Sequence, residues 1–217
     1  MTTLTPDEER QLQRLEAIHA VQNLQARYDY LHFAHIHEDR LALFALDTPG
    51  VRIAMDWGVY EERAGVERFF LQYQAKTHQP IPGAMALHTL TSPLIEVADD
   101  LTTASAMWIS PGAGAGPAAN GRPANAGWLW VRYDTDFVQE NGEWKIWHLG
   151  VSMLFASPFE KSWVDAELIP QRRQLPPGCE PDRVPDLEWT GYRVDRPFAD
   201  RPALPRPHLT FEDSRSR

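Results

Sequence analysis

His32, His35 and His37 crowd into one short stretch, and the first two are spaced to share a helix face. That spacing invites a metal site, but no acid or cysteine completes a ligand set such as H-E-x-x-H, so the pattern predicts no metal. Imidazoles that hold no metal can still move protons, because their ordinary pKa of about 6.5 lies near neutrality. The other side chains suited to such work are phenols and indoles rather than carboxylates. Tyr28 and His32 fall on the apolar side of a helical stripe. Leu129, Val131, Tyr133 and Phe137 alternate onto one face of a strand, while Arg132, Asp134 and Asp136 take the other. Trp144, Ile146 and His148 share a face of the next strand, so a buried Trp144 would turn His148 inward too. Trp57, in the turn Asp56-Trp57-Gly58, adds a ligand contact at the mouth of any barrel so formed. The glycines between 112 and 121 make no phosphate loop, since neither Lys-Ser/Thr nor a helix start follows them.

Elements must hold these groups together. Thr5-Pro6-Asp7-Glu8 starts a helix with a hydroxyl cap, proline in the first turn and acids at the positive end of the dipole. Leu15, Ile18, Val21, Leu24, Tyr28 and Leu31 then recur at helical steps, and residues 37–46 suggest a second helix ending before Thr48-Pro49-Gly50. Residues 51–55 and 59–61 form a hairpin around Asp56-Trp57-Gly58, and residues 64–77 are helical until Pro80 and Pro82. Strands follow over 84–98, 103–110, 127–139 and 144–155, with a loop over 111–123 and a tight Asn141-Gly142 turn between the last two. Helices first and antiparallel strands after predict an α+β fold, a curved sheet wrapped around its helices into a cone with one open end. Such a mouth is a usual place for a small-molecule pocket.

Beyond residue 158 the character changes. Many of the 18 prolines lie between 170 and 207, yet Trp163, Leu187, Trp189, Tyr192 and Phe198 are too apolar for a solvated linker. We therefore expect a barrel domain over 1–158 and an extended tail over 159–217, lying on the barrel or on a neighbouring subunit. Composition fits one core: 217 residues, 43% hydrophobic. A net charge of -9 argues against a nucleic-acid partner. The lone Cys179 allows no intrachain disulfide, the first residues carry no secretory signal, and no apolar run is long enough for a membrane span. The expected location is the cytoplasm, without a membrane partner.

Arg27-Tyr28 in the first helix, Asp56-Trp57-Gly58-Val59-Tyr60-Glu61, His88-Thr89-Leu90-Thr91 and Asn141-Gly142-Glu143-Trp144-Lys145-Ile146 stand in an order that resembles the SnoaL-like branch of the nuclear-transport-factor-2-like superfamily, over about the first 155 residues. In the scytalone dehydratase and hexachlorocyclohexane dehydrochlorinase relatives, a histidine heading the long strand removes a proton and a helix-one aspartate orients it. The resemblance puts His88 at that histidine. It puts Ala34 at the aspartate, with Phe33 beside it as a substrate contact, so the imidazole lacks its carboxylate partner. Trp108 and Tyr133 fall where relatives place pocket-lining side chains.

The resemblance implies a homodimer or homotrimer and a lyase without cofactor. The segment from Tyr28 to Phe44, Gly58-Val59-Tyr60 and the proline-rich tail are similar to lignin-derived diarylpropane γ-formaldehyde lyases of aromatic-degrading bacteria. The expected substrate is a small aromatic compound, losing formaldehyde or water. His88 or His148 would move the proton, Tyr28 or Tyr133 would orient a hydroxyl, and His32, Phe33, Trp57 and Trp108 would contact the ring. Two alternatives stand beside this: a dehydratase or isomerase of a polyketide- or steroid-like substrate, and a binding or assembly module without chemistry.

Overall fold

A computed structural model describes residues 4–116, 126–165, 175–185, 191–198 and 202–214. The first helix, α1 (Pro6–Phe33), opens with a capping box: Glu8 N–H donates to Thr5 Oγ1 and Thr5 N–H donates to the Glu8 carboxylate at 2.7 Å. Its buried stripe is Ala17, Val21, Gln25, Tyr28, Asp29 and His32. The expected stripe is thus rotated: Leu15 is 64% exposed, and three polar residues ride on the inner face. His35 takes a left-handed turn (φ 58°), and Ile36 N–H reaches back to Leu31 O at 3.0 Å. This reversal lays α2 (His37–Leu41) against α1 and brings Arg40 to Tyr28. The second helix is shorter than expected, because residues 43–46 leave it to bond with Ile146.

β1 (Arg52–Met55) and β2 (Gly58–Glu61) form the expected hairpin. The next helical stretch runs through α3 (Glu62–Arg68), a π-helical segment Phe69–Gln74 and a last turn, α4 (Ala75–Thr77). The π segment buries Phe69, Phe70, Tyr73 and Gln74 together. The strand expected over 84–98 is two strands, β3 (Met85–His88) and β4 (Thr91–Val97). Both pair with one edge of β5 (Thr103–Ala115), and the register slips between Thr91 and Leu94. Pro93 lies inside the slip and has no N–H to give the ladder. β5 itself runs into what the sequence suggests is loop. β6 (Ala126–Glu140) and β7 (Glu143–Pro158) complete the sheet around Asn141 and Gly142, both at positive φ.

The strand order is β2-β1-β7-β6-β5-β3, with β4 beside β5. All pairs are antiparallel except β1 with β7, which is parallel. The curved sheet closes on the helices as an α+β cone whose core joins Tyr28, Phe44, Phe70, Trp108, Tyr133 and Phe137. No described helix is long and apolar enough to cross a membrane.

Described parts of the tail lie against the cone. Tyr60 Oη donates to Cys179 O at 2.8 Å, Asp182 bridges Glu61 N–H and Arg68, and Val59 pairs with Arg183. Phe211 lies on Trp147 and His148. Trp163 and Phe198 remain largely exposed, and Leu187 and Trp189 fall outside the described residues.

Candidate active site

Inside the cone lies a cavity of about 110 Å³. α1 contributes Tyr28 and His32, α2 contributes Arg40, and the π segment contributes Phe69 and Gln74. The β1–β2 turn adds Met55, Asp56 and Trp57; His78 follows α4 and His88 ends β3. Leu129, Val131 and Tyr133 from β6 and Val151 and Met153 from β7 form the remaining wall.

Three imidazoles gather on one side. His32 lies 5.3 Å from His88 and 5.7 Å from His78, ring centre to centre. Burial pushes His88 down to about 4, with the nearby charge of Arg40 adding to it. Burial, then Arg40 and the neighbouring histidines, holds His32 well below its ordinary range. Both rings are therefore neutral at pH 7. His88 Nδ1 lies 3.3 Å from Ser110 Oγ, a contact that allows a proton on Nδ1 and a basic lone pair on Nε2. Gly112 makes room for that ring. A Cβ there would stand 2.6 Å from Leu87 O and 3.3 Å from His88 Nδ1.

Phenols occupy the other side. Arg40 Nη2 donates to Tyr28 Oη at 2.6 Å, and the guanidinium lies over the faces of Tyr28 and Phe70, 4.4 and 5.0 Å from their centres. Because the arginine donates, the Tyr28 proton is directed elsewhere. Tyr133 Oη donates to Asp29 at 3.3 Å, which commits its proton. Burial raises Asp29 to about 6 despite that bond and the charge of Arg40, and burial also raises both tyrosines. Tyr133 stands between the groups: its ring centre is 6.4 Å from both Tyr28 and His88. Among the described residues no group of three His, Cys, Asp or Glu side chains is arranged to hold a metal.

With that geometry in view, the comparison with family models is direct: the SnoaL-like domain model matches residues 13–150. The chain belongs to the SnoaL-like domain family. A comparison with curated proteins gives no match. Solved structures share the fold of this SnoaL-like chain. A candidate scytalone dehydratase from Novosphingobium aromaticivorans is 16% identical, with a TM-score of 0.53 over 70% of this chain and 93% of that one. A type 2 hexachlorocyclohexane dehydrochlorinase is 16% identical, with a TM-score of 0.56 over 73% and 99%. A candidate dehydratase from Streptomyces avermitilis is 16% identical, with a TM-score of 0.54 over 64% and 97%.

The fold brings His88, Tyr28, Tyr133, His32 and Trp57 to one cavity. It does not bring His148. The residue is buried, 6% exposed, but on the opposite face of the sheet. There its Nδ1 lies 3.0 Å from Asp136, which also accepts from Ser105 Oγ at 2.7 Å. The reason is a bulge: Phe137 pairs with Ile146 and Asp136 with His148, so Trp147 is an extra residue and alternation reverses across it. Phe33 is 51% exposed at the end of α1 and does not line this cavity. Trp108 is in the core against Phe137, behind the cavity wall. Ala34 only caps α1, and His32 is the residue that meets His88.

Arg40, Gln74, His78, Asp56 and Asp29 were not legible as site residues in the sequence. Asp29 and Gln25 follow Val21 at helical steps, so a polar continuation of the stripe was the one available signal. Nothing local marks Arg40.

Proposed function

We propose that this SnoaL-like chain is a lyase acting on a small aromatic substrate, with His88 taking a proton and Tyr28 giving one to a departing hydroxyl. One observation carries the reading: a neutral imidazole and a phenol polarised by a buried guanidinium line one cavity, at equal distance from Tyr133. A weakly basic His88 favours proton transfer only as compensating negative charge leaves or is neutralised beside it, and Tyr28 supplies that neutralisation. The cavity of about 110 Å³ is somewhat below the ~150 Å³ of an engineered protein cavity that holds benzene. A ring therefore enters only in part as the cavity stands, and the rest of the substrate lies at the mouth.

With a diarylpropane diol the terminal hydroxyl gives its proton to His88 and its C–C bond breaks to release formaldehyde. The freed electron pair forms a stilbene double bond as the benzylic hydroxyl leaves with the Tyr28 proton. Diol becomes stilbene, formaldehyde and water, and the proton on His88 restores Tyr28. The dehydratase and dehydrochlorinase names among the fold neighbours favour a second reading, in which His88 takes a C–H proton and water alone is lost. Incubation with the diol, read by stilbene absorbance and formaldehyde assay, separates them. Both products support the first reading; water loss from a polyketide-like alcohol without either selects the second. No turnover of any such alcohol contradicts both.

A further inference from the structure

Arg40 is 1% exposed and carries its charge into the cone without a carboxylate in salt-bridge reach among the described residues. Its contacts are Tyr28 Oη, a long 3.4 Å approach to Gln74 Oε1 and two aromatic faces. Its Nε is closed off from solvent and has no hydrogen-bond partner. An unpaired buried cation is costly, and such charges are normally paired or hydrogen-bonded. Asp29 is near enough to feel the charge of Arg40 but accepts its hydrogen bond from Tyr133, and Asp56 accepts Met153 N–H at 2.8 Å, so neither is bonded to the guanidinium. His32, which also lines the cavity, has its Nδ1 buried without a partner.

We propose that Arg40 binds an acidic oxygen of the ligand, so that the cavity selects an aromatic ring bearing a phenolate or a carboxylate. The inference rests on this cavity being the substrate site. A ligand oxygen placed at Arg40 is also in reach of the Tyr28 hydroxyl, whose proton Arg40 leaves uncommitted. The guanidinium needs no reorganisation to receive it, since Tyr28 and Phe70 already hold its plane.

The test compares benzoate, 4-nitrophenolate and benzyl alcohol on the wild-type full chain by calorimetric titration. At least one anion is expected to bind about tenfold or more tightly than the neutral alcohol, the scale of one charge-assisted hydrogen bond. Preference for benzoate assigns a carboxylate, and preference for the nitrophenolate assigns a phenolate. Equal affinity for all three overturns the role of Arg40 while leaving the cavity as the binding site. No binding by any of them overturns both. In Arg40→Gln, with its fold checked by circular dichroism, the preference for the anion over benzyl alcohol is expected to vanish, and a preference that persists overturns the role of Arg40. Should that variant not fold, the wild-type comparison decides alone.

Discussion

At the scale of single residues, two buried groups in the site pull stability in opposite directions with pH. His88 titrates near 4 in the folded chain against an ordinary 6.5, so between those values the unfolded chain holds more protons. Stability therefore falls as pH drops from about 6.5 to about 4, and His32 acts with the same sign. Asp29 titrates near 6 against an ordinary 3.8, so the folded chain holds the extra proton and its contribution is lost as pH rises through that window. Asp29→Asn removes only the second effect. Its urea midpoint is expected to climb more steeply between pH 4 and 6 than that of the wild type, and a shallower climb would contradict the burial of these groups. The same residues show what sequence could reveal. His88 was singled out through the resemblance, in which His88-Thr89-Leu90-Thr91 opens the long strand, and the fold places it on the cavity wall. His148 was misplaced because alternation holds only where no residue is bulged, and an extra Trp147 leaves no mark in composition.

Elements place these side chains by small departures from regularity. The left-handed His35 turns α2 back onto α1, and the π segment packs Gln74 beside Arg40. The gap at Thr89 and Leu90 ends β3 at His88, and Gly112 lets that strand approach β5. The hairpins, the α1 cap and the order of elements were legible, because caps and turns are written in local chemistry. The split of the 84–98 strand, the parallel β1–β7 pairing and the length of β5 were not, since each depends on contacts between distant segments. Gly112→Ala tests the element scale: a methyl group 2.6 Å from a backbone carbonyl must push β3 outward. We expect kcat to fall by about 100-fold, the order seen when a reacting group is misplaced by an ångström. Unchanged turnover would mean that β3 has slack and that His88 needs no such support.

For the whole molecule, the described parts of the tail pack on the cone. Side chains of the tail reach so near the cone that a Cβ at Gly58 would stand 2.2 Å from the Pro181 ring, and one at Gly65 would stand 2.6 Å from the Asp182 carboxylate. Cys179 is fully buried, and the hydrogen bond from Tyr60 ends on its carbonyl. The aromatic residues of the tail suggested docking, but not where; that depends on two glycines far away in sequence. Truncation after Phe159 uncovers Tyr60 and the Trp147–His148 stack, so the melting temperature is expected to fall by at least ~5 °C, with each lost kcal/mol lowering it by about 2–4 °C. An unchanged melting curve would detach the tail from the fold. The purpose we assign to this architecture is to hold a neutral His88 and Tyr28 on the wall of one cavity, each beside Tyr133. Turnover of a diarylpropane diol by His88→Gln tests that most directly. The expected kcat lies at least ~100-fold below wild type with KM changed far less, as for removal of a general base; a kcat equal to that of the wild type would contradict a proton-transfer role for His88.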